Sequence, residues 1–306
     1  MRQTSKRARR SRLLMIFILV LLIALVLWGL AALADRLLHY GANATVSAKD
    51  ADQPSAITPT PETADDTPKN TYDPACFYRD GEFLRYESST VTSQIGIDVS
   101  AHQQDIDWQR VAASGGQFAI LRAGYRGYTE GSIQEDAYFE QNLAGAIDAG
   151  LDVGVYFFSQ SLGAIEAAEE ALYVLELIEG YDITMPVAFD WEPVAEAERY
   201  EEVDGEALTS SALVFCEMIK DAGYTPCLYT YRHLAYYEYD LSRLADYPIW
   251  IGAPGMWDDF YYEHDIWQFS FTGQIPGIPA DVDLDLQFIP RAESSPSPSP
   301  AAGVEG

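Results

Sequence analysis

The sequence predicts an α/β protein whose main domain is an irregular, TIM-like β/α barrel. Eight short β-rich segments alternate along residues 95–290 with segments of helical periodicity, and the β-rich segments are almost continuously apolar. Such strands are typical of a parallel sheet that is buried on both faces. No glycine-rich dinucleotide motif follows the first strand, which favours a closed barrel over an open nucleotide-binding sheet.

The strands are predicted from β-branched and aromatic runs bounded by polar or turn-forming residues. They occupy residues 95–99, 118–122, 153–158, 186–190, 227–231, 248–251, 265–269 and 284–289. Apolar spacing of three and four predicts helices over 106–114, 134–149, 164–179 and 206–222. A glycine follows each helix, as is typical of helix C-termini: Gly115, Gly150, Gly180 and Gly223. Helical periodicity weakens after residue 231, so an irregular barrel is expected.

The helix over 164–179 is expected to bury one apolar face against the sheet. The residues that step along this face are Ile165, Ala168, Leu172, Leu175 and Ile178.

The N-terminal region predicts a membrane anchor. Residues 13–34 carry no charge and would span roughly 33 Å as a helix at about 1.5 Å per residue, enough to cross a bilayer. Six basic residues in the tail 1–12 are expected to stay in the cytoplasm, which sends the main domain outside the cell. The alternative is a signal peptide cleaved after Ala34, with a secreted product, although the apolar run is longer than most signal cores.

The remaining segments divide by composition. Residues 35–70 are rich in Ala, Thr, Pro, Asp and Ser and are predicted to be a disordered linker. Residues 71–94 are too aromatic for a linker and are predicted to pack on the barrel as an N-terminal extension. The Ser/Pro tail over 291–306 is predicted to be disordered.

Charge and cysteine content exclude several functions. The chain has 19 basic and 47 acidic residues, and its formal net charge is −28. Such a body repels a polyanion, so no nucleic-acid partner is expected. Three cysteines are too few for a disulfide framework or a zinc site, and no metal or organic cofactor is predicted. Cys216 and Cys227 lie on adjacent predicted elements, where two buried free thiols are favoured over a disulfide.

Acidic residues lie at the ends of predicted strands, where β/α barrels carry their chemistry. Asp98 ends the first strand, Asp190 and Glu192 end the fourth, and Asp283 starts the last. Because Asp190 and Glu192 are two residues apart in an extended segment, their carboxylates face the same side at about 7 Å. Two neighbouring carboxylates repel each other, which raises the pKa of one and places a proton donor beside an anion. The cleavage of a glycosidic bond uses such a pair.

Seven segments resemble, in order and at similar spacing, the lysozymes of glycoside hydrolase family 25. They are IGIDVSAHQ (95–103), IDW (106–108), FAILRAGYRGY (118–128), AGLDVGVYFFSQ (149–160), PVAFDWE (186–192), IWQF (266–269) and VDLD (282–285). The resemblance covers essentially all of 95–290. It implies an N-acetylmuramidase with an irregular β/α barrel.

The resemblance also implies roles for individual residues. Glu192 matches the general acid and Asp190 its partner carboxylate, while Asp98 and Asp283 match two further acidic positions of the active site. Asp190 would act either as the second carboxylate or by orienting the substrate's own N-acetyl group as nucleophile. Four residues are expected to line the sugar groove: Tyr156, Tyr229, Trp267 and Gln268.

The function implied is a membrane-anchored, extracellular lysozyme. Its partners would be the glycan strands of peptidoglycan, in which it would hydrolyse the β-1,4 bond between N-acetylmuramic acid and N-acetylglucosamine, and the membrane that holds its N-terminal helix. The alternatives are a non-catalytic peptidoglycan-binding module and a chitinase-like hydrolase. Two residues depart from the family pattern: Gln104 replaces a common glycine, and Asp285 stands where many members have asparagine. Asp285 is expected to add negative charge near Asp283.

Overall fold

The structure is a computed structural model, and it describes residues 67–194, residue 199 and residues 203–291. In chain order, its strands and helices are β1 (Phe77–Asp80), β2 (Phe83–Tyr86), β3 (Val91–Val99), α1 (Trp108–Ala113), β4 (Phe118–Arg126), β5 (Ile133–Glu135), α2 (Phe139–Asp148), β6 (Asp152–Ser159), α3 (Ala164–Ile178), β7 (Val187–Trp191), α4 (Gly205–Asp221), β8 (Pro226–Tyr231), α5 (Arg232–Tyr237), β9 (Ile249–Gly252), β10 (Ile266–Gly273) and β11 (Val282–Pro290). Short 3-10 helices cover Pro74–Cys76, Ala101–Gln103 and Leu241–Arg243.

Eight of the strands close into a barrel in the order β3, β4, β6, β7, β8, β9, β10, β11. Closure results because β3 pairs with both β4 and β11. All eight correspond to strands predicted from the sequence, so the prediction of an α/β barrel is confirmed. The small strand β5 is added to β4 outside the closed ring.

The last strand departs from the predicted parallel sheet. Strands β3 to β10 of the ring run parallel, whereas β11 is antiparallel to both of its neighbours. Only residues 274–281 join β10 to β11. A parallel crossover needs about a dozen residues or more, so this short connection imposes an antiparallel pair.

The four predicted helices are present as α1 to α4, but α2 begins at Phe139 and not at residue 134, because residues Ile133–Glu135 form β5. The glycines expected at their ends have positive φ angles, as the prediction requires: 106° for Gly115, 78° for Gly150, 84° for Gly180 and 93° for Gly223. Helix α5 and the hairpin of β1 and β2 were not predicted. Both are short, and the tertiary contacts that hold them are invisible in a local pattern.

The buried face of α3 differs from the predicted one. Ile165 and Leu172 are 80% and 59% exposed, whereas the buried residues of the helix are Ala167, Glu170, Ala171, Val174 and Ile178. Small alanines permit a close approach to the sheet. The buried carboxylate of Glu170 also pairs with Arg126 on β4 at 2.6 Å, which ties this face of the helix to the barrel.

The barrel interior is apolar toward the amino ends of its parallel strands. The residues packed there include Phe118, Ile120, Ala188, Cys227, Trp250 and Ile266. A second and larger core lies between the barrel and its surrounding helices. Because these apolar side chains fill the barrel interior at the amino end, polar side chains have space only at the carboxyl end of these strands.

The segment before the barrel contacts its outer surface. Tyr72 stacks on Phe288 of β11 with a ring-centroid distance of 3.5 Å, and its hydroxyl donates to the main-chain oxygen of His264 at 2.8 Å. Phe77 of β1 contacts Trp267 at 5.5 Å between ring centroids. Strand β3 begins at Val91, four residues before the predicted first strand, because it pairs with β11 over its whole length.

The predicted anchor at 13–34 and the tail 1–12 lie outside the described residues, as do most of the linker and residues 292–306. Within the described ranges, no helix has both the length and the apolar character needed to cross a membrane.

Gln104, the first departure from the family pattern, adopts the backbone conformation of a glycine. It follows the 3-10 helix Ala101–Gln103 with φ 56° and ψ −139°, and its side chain is exposed. A non-glycine residue in such a region stores on the order of 1–3 kcal/mol of strain. The loop therefore keeps a turn that suits glycine and bears the strain of a larger residue.

Candidate active site

Four acidic residues gather at the carboxyl end of the parallel strands. Asp98 lies on β3 directly opposite Asp283 of β11, Asp190 lies on β7, and Glu192 follows β7 immediately. The charge of Glu192 contributes to raising the pKa values of the three aspartates, so the four carboxyls interact. The structure thus brings together all four acids named from the sequence.

Asp190 is buried and incompletely satisfied. Burial raises its pKa well above the usual range, and the charges of Glu192 and Asp98 raise it further, while Arg122 opposes them. Its Oδ1 has no hydrogen-bond partner among the described residues. A buried acceptor of this kind is costly unless a ligand or water supplies a donor. Asp190 is therefore placed to receive a donor from a bound molecule.

Asp98 is held by a chain of hydrogen bonds. The Nε2 of Gln268 donates to its Oδ2 at 2.6 Å, and the hydroxyl of Tyr229 donates to the Oε1 of Gln268 at 2.8 Å. A Cβ on Gly252 would lie 2.5 Å from that hydroxyl, so only glycine fits beside the chain. Burial is the main cause of the raised pKa of Asp98.

Asp283 is half-buried at the start of β11. Burial raises its pKa well above the usual range, and Asp98, Glu192 and Asp281 add to the effect. The site therefore favours protonated carboxyls at several positions and is poised to exchange protons with a bound molecule.

Glu192 is positioned through its main chain. The Nε2 of Gln160, the residue after β6, donates to the main-chain oxygen of Glu192 at 2.6 Å and to that of Ser159 at 2.8 Å. The intervening Trp191 points to the outer core, where its Nε1 donates to the main-chain oxygen of Ser161 at 3.2 Å. Gln160 was not predicted; its signal is a polar residue directly after a buried strand.

Three of the four predicted groove residues face the acids. Tyr156 and Tyr229 line the barrel interior, and Gln268 binds Asp98. The prediction for Trp267 is wrong, because its side chain is fully buried in the outer core and its Nε1 donates to the main-chain oxygen of Ala253 at 2.7 Å. Side chains alternate along β10, so Gln268 and Trp267 cannot both point inward.

An ion pair supports the rim of the site. The Nε of Arg122 lies 2.7 Å from the Oδ2 of Asp136, which also accepts from the main-chain N–H of Ala101 at 3.0 Å. Through Asp136, these two contacts connect Arg122 of β4 to the turn after β3. The charge of Arg122 also lowers the pKa of Asp190.

The sequence also led to expectations about the cysteines and about metal ligands. Cys216 and Cys227 are both buried and free, as the sequence favoured. Within the described ranges, no three His, Cys, Asp or Glu side chains are grouped so that they could hold a metal ion.

Comparisons with known proteins give consistent matches. The sequence profile of Glycosyl hydrolases family 25 matches residues 97–278. An autolytic lysozyme of Clostridium acetobutylicum is 28% identical over 192 residues, which cover 62% of this chain and 54% of that protein. The chain thus spans about half the length of this curated relative.

Two solved structures are similar in sequence and fold. The modular autolysin LytC from Streptococcus pneumoniae, in complex with a synthetic peptidoglycan ligand, is 26% identical with a TM-score of 0.52; the match covers 63% of this chain and 46% of that one. A family 25 glycosyl hydrolase from Bacillus anthracis is 25% identical with a TM-score of 0.53, and the match covers 63% and 88%.

Proposed function

The chain belongs to the glycosyl hydrolases of family 25, and from this premise we propose that it is a lysozyme of the N-acetylmuramidase type. It would hydrolyse the β-1,4 bond between N-acetylmuramic acid and N-acetylglucosamine in peptidoglycan. The observation that carries the proposal is the meeting of Asp98, Asp190, Glu192 and Asp283 at the open end of the barrel. The peptidoglycan ligand of the S. pneumoniae autolysin supports this substrate class.

Glu192 is the proposed general acid. Its side chain is only partly buried, and Gln160 fixes the backbone that carries it. In the proposed step, Glu192 transfers its proton to the glycosidic oxygen as the bond to the anomeric carbon breaks. Rapid cleavage requires this proton because an unprotonated sugar alkoxide is a poor leaving group.

Asp190 is the proposed partner of the reacting sugar. Its unpartnered Oδ1 suits an N–H donor, and the acetamido group of the substrate carries one. Accepting that hydrogen bond would orient the acetamido oxygen toward the anomeric carbon, which supports the substrate-assisted route over direct attack by a carboxylate. Asp98 and Asp283 would line the same groove.

The experiment that tests this function is product analysis. Purified cell walls are digested with the full chain in detergent, and the new reducing ends are identified by mass spectrometry. We expect muramic acid at these ends. Co-sedimentation with walls and no new reducing ends would instead indicate a binding module. Cleavage of chitin oligomers with intact walls would indicate a chitinase-like enzyme.

We also propose that residues 13–34 anchor the enzyme in the cell membrane with the barrel outside the cell. The uncharged segment and the six preceding basic residues support this arrangement. The chain is expected to remain with membranes after a high-salt wash and to retain its N-terminal segment. A soluble extracellular form beginning at Asp35 would contradict the anchor and indicate a cleaved signal peptide.

A further inference from the structure

The loop between β9 and β10, residues 253–265, exposes two large apolar side chains at its tip. Met256 is 56% exposed and Trp257 is 58% exposed. The other tryptophans in the described part of the chain are buried: Trp108, Trp191, Trp250 and Trp267. Two adjacent apolar side chains, one of them an indole, offer a surface on which the apolar face of a ligand can pack.

The strand register places the start of this loop at the level of the catalytic acids. Asp190 of β7 is paired with Tyr229 of β8, which is paired with Trp250 of β9. Two residues farther along, Glu192 is therefore level with Gly252, the last residue of β9. Only β8 separates β7 from β9, so the loop starts about 10 Å from the end of β7 along the sheet. The loop thus begins at the rim of the candidate active site.

Contacts on both sides of the exposed pair hold the loop at this end of the barrel. Before the pair, the main-chain N–H of Gly255 donates to the main-chain oxygen of Phe269 on β10 at 3.0 Å. After the pair, Asp259 forms an ion pair with Arg232, which directly follows β8. The tip is therefore fixed to the carboxyl-terminal sides of two barrel strands.

The segment before the barrel braces the same loop. The buried carboxylate of Asp258 accepts from the Nδ2 of Asn70 at 2.7 Å, and it lies 3.0 Å from the Nε2 of the buried His264. The main-chain N–H of Asn70 also donates to the main-chain oxygen of Tyr261 at 3.0 Å. A surface that is held in place before a ligand arrives loses little conformational entropy when the ligand binds.

Arg79 adds a positive charge beside the exposed pair. It lies on β1, its side chain is exposed, and its Nη2 is 3.2 Å from the Sδ of Met256. Among the described residues, this is the only polar contact of its guanidinium group. A thioether is a weak acceptor without charge, so the guanidinium keeps its capacity to bind a carboxylate with two hydrogen bonds.

We propose that Trp257, Met256 and Arg79 form a distal subsite for the glycan strand of the cell wall. A sugar ring packs on the indole of Trp257 and beside Met256, and a carboxylate of the strand pairs with Arg79. The strand carries carboxylates on its peptides, or on its lactyl groups where peptides are absent. The inference builds on the proposed lysozyme function, because the same strand would run from the four acids to this loop.

The glycan strand is favoured over a lipid surface as the occupant of the subsite. Exposed tryptophans also insert into membrane interfaces. However, the formal net charge of the chain is −28, which opposes the approach of this face to an anionic membrane. The position at the rim of the acid cluster is continuous with the groove that the strand would occupy.

The test measures the affinity of the full chain in detergent for soluble wall fragments by calorimetry, in a Glu192→Gln background that slows cleavage. Trp257→Ala should raise Kd about three- to tenfold, since a packed aromatic contact is lost. Tyr181→Ala is the control, because Tyr181 is 41% exposed after α3 and thus lies toward the amino end of the barrel. It should leave Kd unchanged. An unchanged Kd in Trp257→Ala would overturn the proposal.

The role of Arg79 is tested with fragments whose carboxylates are free or have been converted to amides. Arg79→Gln should raise Kd about two- to fivefold for the free carboxylates and leave it unchanged for the amides. Arg85→Gln is the matched control, because Arg85 lies in the same hairpin and pairs with Asp80 at 2.6 Å; it should bind like its parent. An equal effect of Arg79→Gln on both ligands would overturn the carboxylate contact.

The source of the carboxylate is assigned with fragments that keep their peptides and with fragments freed of peptides by an amidase. A loss of affinity in Arg79→Gln that is confined to the first set assigns the contact to the peptide. A loss confined to the second set assigns it to the lactyl group. A loss with both sets means that Arg79 accepts either carboxylate.

Two further results separate the subsite from its alternatives. In vesicles of brominated lipids, the quenched fraction of tryptophan fluorescence should not fall in Trp257→Phe; a fall, together with unchanged fragment affinity, would assign the surface to lipid. Weakened binding in Trp257→Ala without any wall cleavage by the wild type would leave the subsite standing and remove only the lysozyme proposal. Wall cleavage with unchanged affinity would remove only the subsite.

Discussion

Replacing Glu192 with Gln is expected to lower the turnover of cell walls by at least about 10²-fold. The amide preserves the size of the side chain and the backbone contact with Gln160, but it has no acidic proton to transfer to the glycosidic oxygen. Turnover is measured as new reducing ends per enzyme per unit time. The binding of wall fragments, measured by co-sedimentation, should persist because the groove is otherwise unchanged.

The matched control is Glu179→Gln, which makes the same chemical change at an exposed residue after α3. It should leave turnover unchanged. Activity of Glu192→Gln within a few-fold of the wild type would remove Glu192 from the role of general acid. Loss of wall binding together with turnover would instead assign Glu192 to substrate binding.

The strands of the barrel were predictable because each one has a local signal. A buried parallel strand is a short apolar run between turn residues, and all eight runs form strands of the ring. The direction of β11 was not predictable from its own residues. It depends on the length of the connection from β10, which becomes informative only when the ends of both strands are known.

The orientation of α3 shows a second limit. A spacing of three and four allows more than one apolar face on a helix that is rich in alanine and leucine. The choice is made by partners remote in sequence, among them the ion pair of Glu170 with Arg126. Exposed Ile165 and Leu172 are the residues that the local pattern placed inside.

The acids of the site were predictable from their places at strand ends, together with the resemblance to a known family. The resemblance implied that both Trp267 and Gln268 line the groove. Side chains alternate along β10, so only Gln268 points into the interior. The hydrogen-bond partner of Asp285, the indole Nε1 of Trp250, could not be identified from the sequence either. The contact depends on how β9, β10 and β11 are arranged in the sheet.

Replacing Asp190 with Asn is expected to stabilise the fold at alkaline pH while it abolishes most activity. Burial raises the pKa of Asp190 in the folded chain, so the folded state binds this proton more tightly than the unfolded state does. The stabilisation from that proton is complete below the unfolded pKa of about 4 and is lost as pH rises through the raised folded value. Asparagine does not ionise, so the variant should not lose stability in this way as pH rises.

The free energy of unfolding of the full chain is measured by urea denaturation at pH 3 and pH 8. At pH 3 the variant and the wild type should agree closely, because the wild-type carboxyl is largely protonated in both the folded and the unfolded state and resembles the amide. At pH 8 the variant should be more stable by about 1–3 kcal/mol, the usual cost of a buried polar group without a partner. Asp246→Asn, at an exposed position, should change stability by less than about 0.5 kcal/mol at either pH.

A gain that is equal at both pH values would mean that Asn packs better than Asp, and that ionisation of Asp190 does not weaken the fold. A gain confined to pH 8 would mean that the unpartnered carboxylate destabilises the free enzyme. The proposed substrate would then relieve part of that cost when its acetamido N–H reaches Oδ1. Substrate binding would then be stronger at the pH at which ionised Asp190 destabilises the free enzyme. Residues of active sites commonly serve function at the expense of stability in this way.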